Sequence, residues 1–291
     1  MLRDTVRTLQ YRAAIAAHAC DQVVLDLGCG SGALALFAVQ AGAKRVYAVE
    51  RSASAVLARL MFKANGVEDR ITLVRGDSRS IELPERADLL VHELFGSDGL
   101  SEAIAPILDD ARARLLRPGG RLLPLGLEVC CLGLDVAALP FAAERISDDL
   151  THLEGLYGFD LSALQLALQS WDNNASPALE PSESLREQLL TDEARLWDLD
   201  FAQGLQAQLA LPARVTLRAT RAGRLAGVLL FFRAHLDEST VLTTAPSAPK
   251  THWDYTVCNF SRTVAVSPGT TIDLIAHVES NGDRSAIVVE I

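Results

Sequence analysis

Near its start the chain breaks a strand on glycines and turns it into a helix. Val23–Leu27 is a short apolar run, Asp26-Leu27-Gly28-Cys29-Gly30-Ser31-Gly32 turns it, and Ser31–Gln40 reads as a helix closed by Gly42. Glycines permit a tight turn and leave the backbone open to a ligand. The pattern then repeats. Arg45–Val49 is the next strand, Ser52 caps a helix to about Asn65, and Ile71–Arg75 and Ala87–Val91 are further strands. Ahead of the first strand, Thr5–Ala17 is helical, with Val6, Leu9, Tyr11 and Ile15 on its apolar side. Leu100–Leu116 is helical with Pro106 disturbing its first turns, Pro118-Gly119-Gly120 ends it, and Arg121–Leu125 opens another strand. Strands alternating with helices predict a parallel, doubly wound sheet.

After about residue 125 the pattern changes. Leu127–Leu134, Ala207–Ala219, Gly227–Leu236, Thr256–Val266 and Thr271–Glu279 are β-rich, and Ser285–Ile291 is a last strand. This set predicts an antiparallel barrel or sandwich. A polar stretch from Glu144 to about Asp192 interrupts it with helix-like pieces, broken at Asp172-Asn173-Asn174-Ala175-Ser176-Pro177. It reads as an excursion that contacts a partner, or equally as a surface insertion with none.

Composition narrows the function classes. A net charge of −10 over 291 residues opposes non-specific nucleic-acid binding, which needs a basic face. The five cysteines (Cys20, Cys29, Cys130, Cys131, Cys258) show no CxxC spacing, so neither a zinc site nor a disulfide framework is expected. No apolar run approaches the roughly 20 residues that span a bilayer, and Met1–Arg7 does not read as a signal peptide. A cytoplasmic location is expected.

Two motifs carry chemistry. The first is the glycine turn together with Glu50, an acid at the end of the second strand where ribose hydroxyls can be held. The turn is GxGxG rather than the GxGxxG of dinucleotide binders. The second is His92-Glu93-Leu94-Phe95-Gly96-Ser97-Asp98-Gly99-Leu100-Ser101-Glu102, which places two glutamates nine residues apart on a glycine-containing loop after a strand. Two carboxylates facing one pocket repel each other and cost desolvation, and a cation between them offsets both costs. A guanidinium fits best, because its planar fork pairs with two carboxylates at once. Either glutamate alone reads as a solvated acid at a helix start.

Asp26–Gly32 with Glu50 resembles the S-adenosylmethionine site of class I methyltransferases. Met1-Leu2-Arg3-Asp4-Thr5-Val6-Arg7-Thr8, the glutamate pair, Tyr157-Gly158-Phe159-Asp160 and Thr251-His252-Trp253 narrow this to a resemblance to the protein arginine methyltransferases, in the family's order and over nearly the whole chain. The resemblance implies a Rossmann-like doubly wound methyltransferase sheet in residues 1–125, followed in 126–291 by an antiparallel β-barrel with a helical dimerisation arm at about Glu144–Arg186. It implies S-adenosylmethionine as cofactor, an arginine-containing protein or peptide as substrate, and a homodimer. For the cofactor it implies Arg7 on the methionine carboxylate and Glu50 on the ribose, with Asp26, Gly28, Gly30 and Gly32 in the turn and Asp77 and Ser78 toward the adenine. Glu93 and Glu102 would clamp the substrate guanidinium, Asp4 would pair with His252, and Trp253 would stand at the substrate entrance. Glu102 or the Asp4–His252 pair would take the proton.

The chain also departs from the family pattern. Met1 lies inside what resembles the first signature helix, so either a less covered pocket or a chain start other than the native one is expected. Ile104 stands where dimethylating members often carry methionine, which leaves product multiplicity open. His92 stands where a small hydroxyl residue is usual, as a packing group or a local pKa modulator. Methylation of free arginine or a small guanidino metabolite, and a non-catalytic cofactor-binding scaffold, are the alternatives.

Overall fold

The computed structural model of the chain describes residues 2–138, 143–163, 183–281 and 284–291. Five strands, β1 (Val23–Leu27), β2 (Arg45–Glu50), β3 (Ile71–Arg75), β4 (Ala87–His92) and β5 (Leu116–Leu123), form a parallel sheet in the order β3-β2-β1-β4-β5. Every residue of β1 is buried, as expected for a strand covered on both faces. The chain winds outward from β1 to β3 and returns to β4 on β1's other side. The crevice at the carboxyl ends of β1 and β4 is therefore the topological switch point where such sheets bind ligands.

The helices are α1 (Thr5–His18), α2 (Ala33–Gln40), α3 (Ser54–Ala64) and α4 (Ile104–Arg114). Asp4 caps α1, its carboxylate accepting the Arg7 N–H at 2.9 Å. Ser52 is not the cap of α3. It accepts the Ser54 N–H at 3.1 Å, and Ala53 occupies the cap position. α4 starts later than its sequence predicts. Pro106 then falls in its first turn, where the missing N–H would have had no intrahelical partner anyway.

The second half is antiparallel: β6 (Gly126–Asp135), β7 (Ala194–Asp200), β8 (Ala213–Arg218), β9 (Gly223–His235), β10 (Val241–Thr243), β11 (Thr256–Val266), β12 (Thr271–Asn281) and β13 (Arg284–Glu290). Among the described residues their hydrogen bonds form two antiparallel sheets. One runs β10-β9-β6-β7 with β11 also on β9, the other runs β13-β12-β8, and a bridge between Thr191 and Ala219 links them. The β-rich stretch expected at Ala207–Ala219 instead holds the end of a short helix, Leu205–Gln208, and then β8. Between β6 and β7 lie α5 (Ala143–Tyr157) and a short helix, Glu183–Glu187. Most of the remaining predicted arm, including the Asp172–Pro177 turn, lies outside the described residues.

One continuous core joins the two halves. The Phe95 ring, on the loop after β4, lies 5.3 Å from Phe232 of β9, which in turn meets Trp253 edge-on at 5.1 Å. A Cβ on Gly99 would come within 2.9 Å of Leu127, so the loop carrying the glutamates passes β6 at backbone contact. This packing fixes the loop between sheet and strands, at the switch point.

Candidate active site

A cavity of about 1150 Å³ opens at the carboxyl ends of β1, β2 and β4. Gly28, Gly30, Glu50, Asp77 and Ser78 line one side of it, and Glu93, Glu102, His252 and Trp253 also line it. Asp4, Arg7, Asp26 and Gly32 are not among the lining residues.

The glycine turn is pinned to β2. The Gly28 and Cys29 N–H groups both donate to the Val49 carbonyl at 2.9 Å. Glu50 continues the clamp, accepting the Gly30 N–H at 2.9 Å and the Ser52 N–H at 2.7 Å. Burial opposes its charge, but these donors and the Arg51 charge outweigh burial and hold its pKa below the ordinary value. Gly30 has φ +53°, and a Cβ there would meet nothing within 4 Å, so the turn is bare toward the cavity. Asp26 lies beneath it, almost fully buried. One oxygen accepts the Ala35 N–H at 2.9 Å and the other has no hydrogen-bond partner. Burial pushes Asp26 up to about 7 against the Ala35 bond, and the Glu50 charge adds to the shift. Asp77 is held down at about 2 by the side chain of Arg79, 2.7 Å away.

Glu93 is the first residue after β4 and is buried, with Arg7 Nε 3.3 Å from its carboxylate. Burial pushes its pKa up to about 7. Arg7 and the Phe95 N–H oppose this, while the Glu102 charge reinforces it. Glu102 is exposed on the turn before α4 and makes no hydrogen bond or ion pair among the described residues. Asp98, passed over by sequence reasoning, fixes that turn. It is 2% exposed, and one oxygen accepts both the Leu100 and the Ser101 N–H at 2.8 Å. The Ser101 carbonyl in turn accepts the Ser285 N–H from β13 at 3.0 Å. The signal for Asp98 was present in Ser97-Asp98-Gly99, a sequence suited to an aspartate that bonds its own backbone two residues on.

His92 is fully buried against Phe95 and Phe201, and neither ring nitrogen has a hydrogen-bond partner. Burial holds it neutral, with a pKa of about 3, so it packs and does not charge. Asp4 joins α1 to the loop before β11. One of its oxygens accepts the His252 N–H at 2.8 Å and faces His252 Nδ1 at 2.9 Å. Burial lowers the His252 pKa against the pull of Asp4, so the ring is neutral at pH 7. A carboxylate only accepts, so Nδ1 carries the proton and Nε2 is the acceptor. Trp253 donates its Nε1–H to the Phe95 carbonyl at 2.9 Å and lies against His252.

The site thus has a bare backbone turn with an ionised acid at one end, and a carboxylate pair with a neutral imidazole at the other. Residues 136–287 match the family described as arginine methyltransferase oligomerization subdomain, and residues 5–127 match that of ribosomal protein L11 methyltransferase. A probable histone-arginine methyltransferase 1.3 of Arabidopsis thaliana is 34% identical across 95% of this chain, which spans 53% of that relative. The chain thus spans about half the length of that plant relative. Protein arginine N-methyltransferase 6 of Xenopus tropicalis is 31% identical over 94% of this chain and 80% of its own length. Among solved structures, the Trypanosoma brucei PRMT1 enzyme-prozyme heterotetrameric complex with AdoHcy superposes with a TM-score of 0.83 at 25% identity, over 100% of this chain and 96% of that one. With two halves matching in order and a relative of this identity and coverage, the chain belongs to the protein arginine methyltransferase family.

Proposed function

We infer that the protein is an S-adenosylmethionine-dependent N-methyltransferase acting on the guanidinium of arginine in proteins or peptides. One observation carries this: Glu93 and Glu102 line the same cavity as the glycine turn and Glu50. The residues present fit the cofactor. Gly30 offers open space over bare backbone, and Glu50 is ionised to accept from ribose hydroxyls. Arg7 is buried with Nε and Nη1 lacking hydrogen-bond partners, so it has donors to give to a carboxylate. Gly28 completes the turn, and Asp77 and Ser78 extend the wall on the adenine side. Asp26 and Gly32 hold the turn from behind.

S-adenosylmethionine, when bound, would supply a methyl carbon activated on a sulfonium, whose C–S bond electrons stay on sulfur as the neutral thioether leaving group. The chain orients the nucleophile. Glu93 and Glu102 bind the guanidinium nitrogens and draw positive charge toward the bonds they make, which leaves electron density on the attacking nitrogen. A second cation beside Glu93 brings its pKa back down, so the permanently charged guanidinium keeps its own clamp ionised. As the C–N bond forms, the nitrogen's proton becomes acidic and passes to Glu102 or to His252 Nε2, with Asp4 holding the imidazole's tautomer. Trp253 packs beside the entrance.

With labelled cofactor and arginine-rich peptides, label is expected on arginine. Glu93→Gln is expected to lower transfer by about 100-fold or more while cofactor affinity stays within a few-fold. Equal loss of both would show that Glu93 has another role. A second reading, methylation of free arginine, draws on Arg284. It lines the same cavity and neighbours Ser285, whose N–H is bonded to the residue before Glu102. A cation there suits an α-carboxylate, and competition between peptide and free arginine separates the two readings.

The protein also assembles as a homodimer in this reading. Leu156 and Tyr157 at the end of α5, and Phe159 beyond it, are exposed, as are Val56, Leu57 and Leu60 on α3. These are two exposed apolar faces on one chain, and the family matched by residues 136–287 is named for oligomerisation.

A further inference from the structure

The β12–β13 hairpin is a wall between two cavities. Ser280 and Ser285 are opposite each other in register, their hydroxyls lie 3.0 Å apart, and both line the main cavity and a second one of about 250 Å³. Neighbouring residues alternate across the wall as strand geometry requires. Glu279 and Ala286 line the main cavity, whereas Val278 lines the second. The turn before α4 is divided in the same way. Glu102 lines the main cavity, while Leu100 and Ile104, two residues to either side of it, line the second. Leu209 closes the far side.

The two spaces differ in chemistry. Glu50, Asp77, Glu93, Glu102, Asp254 and Glu279 all line the main cavity. Among the described residues the second is lined by apolar side chains with Gln206 and the two serines, and by no charged group. The Gln206 amide nitrogen lies 3.3 Å from Asp109, which engages its polar end.

We propose that this second cavity is a substrate subsite taking an uncharged apolar side chain a few residues from the target arginine. The proposal rests on the reading of the main cavity as the arginine site. A peptide with its arginine between Glu93 and Glu102 has its backbone beside the Ser280–Ser285 wall. A neighbouring side chain crosses that wall and exchanges water for Leu100, Ile104, Val278 and Leu209. A charged side chain gains no partner there and loses its hydration. Free arginine, having no neighbours, gains nothing from the groove.

The test uses the full chain, labelled S-adenosylmethionine and single-arginine glycine-rich peptides. Leucine, glutamate or glycine is placed in turn at each of the four positions on either side of the arginine. At one or two positions leucine is expected to raise kcat/KM over glycine by roughly 10-fold through KM, the scale set by burying one apolar side chain. Glutamate is expected to lose this gain. Val278→Thr, which keeps the shape and adds a hydroxyl, and Leu209→Glu are each expected to erase the leucine preference and leave the all-glycine peptide's rate unchanged. Equal rates for leucine and glycine at every position overturn the subsite. So does a leucine preference that survives Val278→Thr and Leu209→Glu. Transfer to no peptide while cofactor binds overturns the reading of the main cavity as a site for arginine in peptides, and the subsite with it, an outcome distinct from indifference to flanking residues.

Discussion

Glu93 is held between two demands. Its burial raises the cost of its charge, and its work as a guanidinium clamp requires that charge. The pKa of about 7 follows from burial, with Glu102 adding to it and Arg7 and the Phe95 N–H subtracting. The sign of the pH dependence follows directly. Below about pH 7 the carboxyl is protonated and cannot pair, so kcat/KM, which reports the free enzyme, falls about tenfold per pH unit on the acid side and levels off above it. Burial lowers the His252 pKa against the pull of Asp4, which places any limb from that ring on the acid side of the Glu93 limb. A pH profile of kcat/KM with a peptide substrate checks this, and a flat profile from pH 5.5 to 8 would contradict it. Asp98 shows the complementary case of a buried carboxylate whose work is local. By accepting two backbone N–H groups it fixes the position of Glu102, which has no hydrogen bond of its own among the described residues.

At the scale of elements, α1 is fastened at one residue. Asp4 caps the helix with one oxygen and holds the loop before β11 with the other. Asp4→Ala therefore removes a helix cap, at a cost of about 0.5–2 kcal/mol, and releases α1 from the loop that carries His252 and Trp253. Arg7 sits one turn into α1, so cofactor affinity is expected to fall together with Tm. Asp4→Asn, whose single amide oxygen can still accept the Arg7 N–H but whose NH2 would face the His252 donors, is expected to recover the cap and not the tie to the loop. Thermal unfolding with and without cofactor measures both effects. The same elements show what a sequence discloses. Val23–Leu27 is legible to the residue because a central strand of a parallel sheet is buried on both faces and reads as an apolar run, and Ile71–Arg75, a half-exposed edge strand, because its β-branched and aliphatic residues favour a strand. Ala194–Asp200 was missed because charges interrupt its one-sided burial, and Val241–Thr243 because three residues carry no period. Ala207 and Gln208 read as strand although they end the helix Leu205–Gln208, because Asp109 of α4 caps that helix from across the fold, accepting the Leu205 and Gln206 N–H groups. The glutamate pair, the glycine turn and Glu50 were legible because each lies in a contiguous stretch. The Arg7–Glu93 pairing and the groove beyond the hairpin depend on contacts between distant segments, and no local pattern encodes them.

For the whole molecule, the decisive quantity is where the exposed apolar surface lies. Scattered exposed aliphatics need no explanation, but Val56, Leu57 and Leu60 share one helix face, and Leu156, Tyr157 and Phe159, the last 69% exposed, cluster where α5 ends. In a two-fold dimer each such patch is used twice, with patch one of either subunit meeting patch two of its partner. The net charge of −10 sets the copies to repel, so association is expected to tighten as salt rises. Light scattering is expected to give twice the chain mass for the native protein. Leu60→Glu and Phe159→Glu are each expected to give monomers that stay folded, since both side chains lie outside the core. Mixing the two variants discriminates further. Each alone has both contacts damaged, whereas a mixed pair keeps one contact in which both faces are native. Partial recovery of the dimer on mixing supports pairing of these two faces. A native protein that scatters as a monomer removes the dimer, and two monomeric variants that stay monomeric when mixed show that the patches do not meet each other.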